Sequence, residues 1–578
     1  MWISSIPAMR VQEVPERLCR DKGPTMLIQK YSVWIFLGLI AIGSARIVST
    51  YHVFSHTLDE PAHIACGMQY LSEGVYNYEL QHPPLARVAA AVGPYLAGVR
   101  FHKETKMGRE GLALLYEGGR YDRNLFLARA GILPFFWIAS MVVYVWAKRS
   151  YGEPCASFSV LLFTFLPPVL AHAGLATTDM ALTAMVGAAF LMGLKWVEQP
   201  TARNSTLFGA VTALAVVSKF SSLVFLPSAA IAALIGWAAA EKPKLSIAAL
   251  ARKYAGPLCL AATSLFFVVW AVFRFSVGHS YWARSHVLLS HVPFPELFGG
   301  IKEVIAHDRH GHHAFLLGRQ SQFGWWYFFL VVLAVKTPLP FLVLLSYGIT
   351  IMKRAPGIRT SLAFSLGILL ICLPSHINIG VRHILPVYLG FSITAGAGGA
   401  ELLRRSGSRA ALWTLAILGV WMIATSALAH PDYLPYFNAL AGKDPSRVLV
   451  DSDLDWGQDV KRLAATLREG GAQQVFFTPF SGVGPLSRQL SYDNLAAQGV
   501  PAVQPNSPFG PSPGWNAVSL SVLRAYDSIL IGGHVKWPDQ VKPPVKIGKS
   551  IWLWYFPPAE SAAYLRQESD NAFVNKTH

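Results

Sequence analysis

The chain is dominated by long apolar runs joined by connections whose Lys and Arg content alternates along the sequence. A helix needs about 20 mostly apolar residues to cross about 30 Å of hydrocarbon. Runs that meet or approach this length lie near 32–51, 125–147, 155–172, 178–197, 205–221, 223–240, 255–275, 324–350, 360–376, 381–401 and 410–429. About 11 transmembrane helices are therefore expected. The segments before the first run and around 148–149, 195–203, 242–253, 353–359 and 404–409 together hold 19 Lys and Arg. The short connections on the opposite side hold little beyond Lys219 and Arg382, while Arg46, Arg129, Arg274 and Lys336 fall inside runs. Because cytoplasmic connections collect the positive charge, residues 1–31 are assigned to the cytoplasm. The loops 52–124 and 276–323 and everything after Ala429 are assigned outside.

Composition agrees with this picture. Of 578 residues, 53% are hydrophobic and only 14% charged, against about a quarter charged in an average soluble protein. A soluble globular enzyme and a disordered chain are both excluded. The net charge of +17 is read as topology, and no nucleic-acid partner is expected. Five scattered cysteines, with no CxxC pair, describe neither a zinc site nor a disulfide framework. The basic residues ahead of Val33 resemble a signal-peptide n-region, but no small-x-small cleavage site follows, so an uncleaved first span is expected.

The expected architecture is a polytopic α-helical membrane domain over 32–430, followed by a small extracytoplasmic α/β domain over 431–566. Short β-type runs at Val475–Thr478, Ala517–Leu520, Ile529–Ile531 and Ile551–Phe556 alternate with Gly/Pro-rich turns, and Val460–Arg468 has a helical pattern. The polar end, 567–578, is expected to be disordered.

Several groups on the outer side can carry chemistry. Asp59-Glu60-Pro61-Ala62-His63 follows the first span. Adjacent carboxylates there either favour a helix N-terminus through its dipole or supply a general base for an acceptor hydroxyl. Gln81-His82-Pro83-Pro84-Leu85-Ala86-Arg87 reads as a turn before a short helix that brings His82 and Arg87 to the same loop. Thr178-Asp179 opens the fourth span, where a cap is the ordinary role of such residues. Lys219 ends the fifth, either snorkelling to the interface or facing an anion. Arg382-His383 begins the tenth span, and an Arg at that depth requires a phosphate or carboxylate partner.

Seven of the 18 histidines lie between residues 276 and 323, yet their spacing fits no zinc pattern. The run Asp451–Asp459 imitates the start of a calcium loop but has Trp456 at the sixth place and Arg462 at the twelfth. A capping or substrate-edge role is expected for it.

Taken in order, Asp59–His63, His82-Pro83-Pro84-Leu85, Thr178-Asp179 and Ser218-Lys219 resemble a known family. Gly324–Tyr327 with Lys336–Pro340, Gly380–Pro386 and Asp451–Asp459 extend the match. That family is the bacterial branch of the GT-C superfamily of integral-membrane glycosyltransferases, of the protein O-mannosyltransferase and aminoarabinose-transferase type. The resemblance implies a GT-C fold and inverting transfer from a polyprenyl-phosphate-sugar donor to a hydroxyl of a protein, lipid or glycan, at the outer face of the cytoplasmic membrane. It implies Asp59 as base, with Glu60 beside it and Asp179 as a second acidic residue that orients the acceptor or holds a divalent ion such as Mg²⁺ or Mn²⁺. His82, Arg87, Lys219, Arg382 and His383 are its candidates for the donor phosphate, and His63 for substrate or metal. Aminoarabinose-transferase-like relatives have Lys where this chain has His82, which is only partly charged near neutral pH.

Two other classes are compatible with a polytopic chain. A secondary transporter places its ionisable groups near the midplane and shows inverted repeats, whereas here the charges gather at one face. A non-catalytic envelope assembly protein would tolerate substitution of Asp59 and Asp179.

The topology is testable in a cysteine-free variant. Glu469→Cys is expected to react with a membrane-impermeant maleimide in intact cells, and Arg203→Cys only after lysis. Equal labelling of both without lysis overturns the assignment.

Overall fold

The computed structural model of the chain describes residues 24–242, 246–279, 291–352, 356–405, 407–480, 485–505, 510–526, 537–541 and 544–574. The structure is that of a polytopic helical membrane protein with a C-terminal α/β region. α1 (Pro24–Val48) is followed by three short helices, α2 (Glu60–Glu73), α3 (Pro84–Leu96) and α4 (Met107–Tyr116). α5 (Tyr121–Ala130) and α6 (Leu133–Tyr151) form one apolar stretch of 31 residues. α7 (Glu153–Thr164) and α8 (Pro167–Ala173) follow, bent by 65° at a break that precedes two prolines. Next come α9 (Asp179–Glu198), α10 (Ala202–Val216), α11 (Ser222–Glu241) and α12 (Ile247–Val272). After the small hairpin of β1 (Val277–Gly278) and β2 (Val292–Pro293), α13 (Pro295–His310) leads to a second hairpin, β3 (Ala314–Leu316) and β4 (Arg319–Ser321). The bundle closes with α14 (Phe328–Lys336), α15 (Leu339–Thr350), α16 (Arg359–Cys372), α17 (Val387–Arg404) and α18 (Arg409–Leu428).

Each of the eleven expected spans contains helix, but they are not equivalent. Among the described residues, six helices are long and apolar enough to cross a membrane, or eight if the bent pairs α7–α8 and α14–α15 each count as one span. The remaining three, α10, α16 and α17, are shorter or less apolar. α17 owes this to four glycines and lies buried along nearly its whole length. A Cβ at Gly390 would stand 2.1 Å from the Ser361 carbonyl oxygen, and one at Gly396 would stand 2.1 Å from Ser159 Oγ. Small residues there let neighbouring backbones approach in the way packed membrane helices require.

Arg46, a charge inside the first run, is held by neutral acceptors. Arg46 donates from Nη2 to the Ser426 carbonyl (2.6 Å) and Oγ (2.9 Å), and from Nε to Tyr433 Oη (3.0 Å), so α1 is tied to the end of α18.

The break between α14 and α15, a turn of 114°, has a more distant remedy. Pro338 and Pro340 cannot continue the helical ladder, and carbonyls left open at a helix end need partners where water is scarce. Asn438, in the chain after α18, supplies them. Its side-chain amide donates to the carbonyls of Ala334 (2.6 Å) and Thr337 (2.7 Å), and its backbone N–H to that of Val335 (2.8 Å). Beside it the buried Lys336 ammonium donates to the carbonyls of Leu434 (2.7 Å) and Asp453 (2.6 Å).

The C-terminal region is built on a mixed sheet of order β6-β5-β7-β9-β8. It comprises β5 (Val475–Thr478), β6 (Ala502–Val503), β7 (Gly514–Ser519), β8 (Val545–Ile547) and β9 (Ile551–Phe556). β5 runs parallel to β6 and β7, and β9 antiparallel to β7 and β8. α19 (Val460–Glu469) turns Val460, Leu463, Ala464 and Leu467 onto Val475, Phe477, Ala517 and Leu553, an apolar stripe at helical spacing. α20 (Pro485–Ala497) adds Leu495 to the same core. The run expected at Ile529–Ile531 lies outside the described residues. One expectation is corrected: residues 567–574, expected to be disordered, continue α21 (Pro558–Val574). Proline in the first turn and a stretch free of glycine favour helix despite the polar composition.

Asp455 fastens the sheet to the run 451–459. Its buried carboxylate accepts from the Ser519 hydroxyl and from the backbone N–H groups of Ser521 (3.4 Å) and Gly457 (3.2 Å). Burial, opposed by these donors, pushes its carboxyl up to about 7. A raised carboxyl value means that the folded chain holds its proton more tightly than the unfolded chain. This group therefore stabilises the fold most fully below about pH 4, the ordinary carboxylate value, and the contribution is lost as pH rises to about 7. Asp455→Asn is expected to abolish that decline in a thermal-unfolding series across pH; an unchanged profile contradicts it. Asn438→Leu is expected to cost about 1–3 kcal/mol, read as a lower unfolding midpoint in detergent.

Candidate active site

The residues singled out from the sequence converge at the end of the bundle that carries the C-terminal region, although they do not all face the same way. The chain leaving α1 is held by the run 451–459: Ser55 N donates to the Gln458 carbonyl and Leu58 N to that of Trp456, both at 3.0 Å. Asp59 sits at the N-cap of α2, yet its carboxylate makes no cap hydrogen bond. It accepts instead from Arg382 Nη1 at 2.9 Å, with 32% of the Asp59 side chain exposed. Arg382 donates from Nε to Ser452 Oγ (3.0 Å), and its guanidinium lies 4.1 Å from the centre of the Trp456 ring. The partner required by an Arg at this depth is therefore the Asp59 carboxylate.

Glu60 points the other way and is fully buried. Its Oε1 accepts from Arg129 Nε and Ala176 N, each at 2.8 Å. Oε2 accepts from Arg129 Nη2 (2.9 Å), Thr57 N (2.7 Å) and Thr57 Oγ1 (3.2 Å). Burial pushes this carboxyl up, but the Arg129 guanidinium and the backbone donors outweigh it and hold the group below its usual value. Both oxygens are occupied, so Glu60 ties three segments together and has no lone pair turned to a substrate. Sequence reasoning missed Arg129 as its partner, although its place inside a span marked it as needing one.

Asp179 is the first residue of α9 and is buried. Its Oδ1 accepts from Lys219 Nζ at 2.6 Å and its Oδ2 from Thr177 Oγ1 at 3.3 Å. Lys219, also buried, does not snorkel; it joins the α10–α11 turn to the start of α9.

Arg87 is an internal tie. It donates from Nε to His63 Nδ1 (3.0 Å), and from Nη1 to Tyr76 Oη (2.9 Å) and the Glu79 carbonyl (3.0 Å), while Nη2 pairs with the Glu79 carboxylate. It is 1% exposed, so the structure places it behind His63 and His82 and away from any opening. The rings of His63 and His82 meet edge to face at 5.2 Å. Burial and the surrounding Arg87, Lys219 and Arg382 cations hold both imidazoles well below their usual value, against Asp179 in the case of His63. Both are therefore neutral at physiological pH, and His82 Nδ1 is buried with no partner among the described residues. His383 stacks on Phe329 (5.6 Å between centroids) and meets the edge of Phe225 (6.1 Å). His172, absent from the sequence-based set, is buried 6.4 Å from the Trp456 ring, with Nδ1 unpartnered among the described residues.

Asp59, Asp179, Lys219, Arg382, His63, His82, His172 and His383 thus surround one region in which two carboxylates face two cations. Among the described residues no group of three or more His, Cys, Asp or Glu side chains is arranged to hold a metal ion. The three carboxylates expected as Mg²⁺ or Mn²⁺ ligands face Arg382, Arg129 and Lys219 separately, an arrangement that does not fit a shared ion.

Residues 128–261 match the family model for dolichyl-phosphate-mannose-protein mannosyltransferases. The matched stretch contains Arg129, Asp179 and Lys219, and it points to the same type as the motif series, a GT-C glycosyltransferase. Among solved structures, ArnT from Cupriavidus metallidurans bound to undecaprenyl phosphate is similar at 13% identity and a TM-score of 0.47, over 90% of this chain and 98% of that one. The apo oligosaccharyltransferase of Archaeoglobus fulgidus is similar at 12% identity and a TM-score of 0.44, over 82% of this chain and 60% of that one. No curated protein matches the chain by sequence.

The two adjacent carboxylates are expected to behave differently. Glu60→Gln leaves Arg129 buried with a weakened partner and is expected to lower stability by about 3–5 kcal/mol. Asp59→Asn leaves the part-buried Arg382 its contacts with Ser452 Oγ and the Trp456 ring and is expected to cost less, about 1–3 kcal/mol. Equal destabilisation by the two substitutions contradicts this division.

Proposed function

We propose that the chain is an inverting glycosyltransferase that moves a sugar from a polyprenyl-phosphate-linked donor to a hydroxyl acceptor at the outer face of the cytoplasmic membrane. One observation carries the reading: Asp59 is the acidic member of the site that keeps a solvent-facing carboxylate while cations crowd the space beside it. The family match to mannosyltransferases that use a dolichyl-phosphate-linked sugar supports a lipid-phosphate donor.

The acceptor hydroxyl gives its proton to Asp59 as its oxygen attacks the anomeric carbon, and the bond from that carbon to the lipid phosphate oxygen breaks. The departing phosphate carries its negative charge into a space bordered by Lys219 and Arg382, which stabilise it as it develops. Arg382 also orients the base through the 2.9 Å contact. Asp179 fixes the Lys219 ammonium. Neutral His63 and His82, together with His383, offer ring nitrogens for hydrogen bonds to phosphate or sugar. Glu60 and Arg87 are positioning residues. Of the possible acceptors, a protein hydroxyl agrees with the description of the matched family, and a lipid or glycan hydroxyl satisfies the same chemistry.

Purified protein supplied with a polyprenyl-phosphate-sugar and an acceptor is expected to release polyprenyl phosphate. Asp59→Asn is expected to slow release by about 10²–10⁴-fold, the usual contribution of a general base, while the purified variant remains folded. Full activity in that variant refutes the assigned base. Because the carboxylates face cations of the chain, we further propose that they require no divalent ion, so EDTA is expected to leave the rate unchanged.

A further inference from the structure

A cavity of about 180 Å³ lies apart from the candidate active site, where the segment after α18 crosses the edge of the C-terminal sheet. Lys443, Lys546 and Lys549 line it together with Ser446 and Trp552. The acidic residue in its wall, Asp444, is already engaged: its carboxylate accepts from Arg447 Nε (3.1 Å), Arg524 Nη2 (3.5 Å), and the backbone N–H (3.2 Å) and hydroxyl (2.5 Å) of Ser446. Among the described residues none of the three lysine ammoniums has a carboxylate partner. Three like charges around one concavity repel one another, and an anion of matching size relieves that repulsion.

The surroundings indicate where the anion comes from. The cavity wall includes Pro435, seven residues beyond the end of α18 at Leu428. Leu434, next to Pro435, is held to Lys336 of the bundle. Leu428 is 85% exposed and Leu440, three residues before Lys443, is 62% exposed. Exposed leucines on both sides of this crossing suit a segment lying in the membrane interface, with the following lysine reaching headgroup level. Trp552 adds an amphipathic ring of the kind favoured at that depth.

We propose that this cavity binds the phosphate of an anionic membrane lipid, at a site separate from the one that receives the sugar donor. The lysines supply the charge, the Ser446 hydroxyl a neutral contact, and the leucines place the opening at the lipid surface. The proposal does not depend on the transferase reading.

The test uses the full chain in detergent, titrated with short-chain phosphatidylglycerol, short-chain phosphatidylcholine or inorganic phosphate, with bound ligand counted by native mass spectrometry. Phosphatidylglycerol is expected to bind saturably, and more tightly than phosphatidylcholine. The Lys443→Gln, Lys546→Gln, Lys549→Gln triple variant is expected to weaken it on the order of a hundredfold, at roughly one factor per lysine near a charged lipid surface. The Lys→Arg triple variant is expected to retain binding; if the Gln variant fails to fold, the single Lys546→Gln change, on an exposed strand position, is expected to give a smaller loss in the same direction. Equal phosphatidylglycerol binding by parent and Gln variants overturns the site. Inorganic phosphate that matches phosphatidylglycerol at equal concentration overturns its assignment to a lipid.

Discussion

The fold around the site depends on one buried ion pair, Glu60 with Arg129. A guanidinium and a carboxylate taken from water cost several kcal/mol each unless every polar atom finds a partner, and here nearly every one does. Through these two side chains the loop after α1, the junction of α5 and α6 and the backbone at Ala176 are fixed to one another. Asp59 is the neighbour of Glu60, and the turn holding Asp179 lies three residues beyond Ala176. The two acidic groups that border the candidate site are therefore set in place by a third that takes no part in it.

A second layer of support comes from the run 451–459, which contacts both the bundle and the C-terminal sheet. Ser452 and Trp456 hold the Arg382 guanidinium, while Asp453 accepts from Val381 N at 3.1 Å. Asp455 turns to β7, and Asp459 accepts from the Ser550 hydroxyl at 2.7 Å. What resembles a calcium loop by composition is a series of carboxylates each spent on a different neighbour. Arg382, the cation beside Asp59, is consequently oriented by residues 70 or more positions away.

Much of the helical architecture was legible because apolar run length is a direct physical signal. Strands β5 and β9 and helix α19 were readable for a similar reason, since their apolar periodicity survives in a short window. The candidate residues were legible as a set, because charges in a membrane chain are costly enough to be conspicuous. Their individual roles were not. Glu60 and Asp59 are adjacent in sequence and differ only in the direction the α2 N-terminus gives them, which no local pattern encodes. Arg87 looked available because its partner Glu79 precedes it in an unremarkable stretch. His172 sits in an apolar run after Pro167-Pro168 and gave no signal at all. The end of α21 departs from the expectation because helix propensity there outweighs polarity.

Asn438 bears on how such a chain is made. It completes the α14–α15 break from positions 101 and 104 residues later than the carbonyls it serves. During synthesis those carbonyls have no intramolecular donor until three further helices, α16, α17 and α18, have entered the membrane and the segment beyond α18 has emerged at the same end. Membrane insertion and folding of the C-terminal region are thus parts of one sequence of events. A polypeptide stopped at Ala429 would contain all of its spans and still leave one of them unfinished.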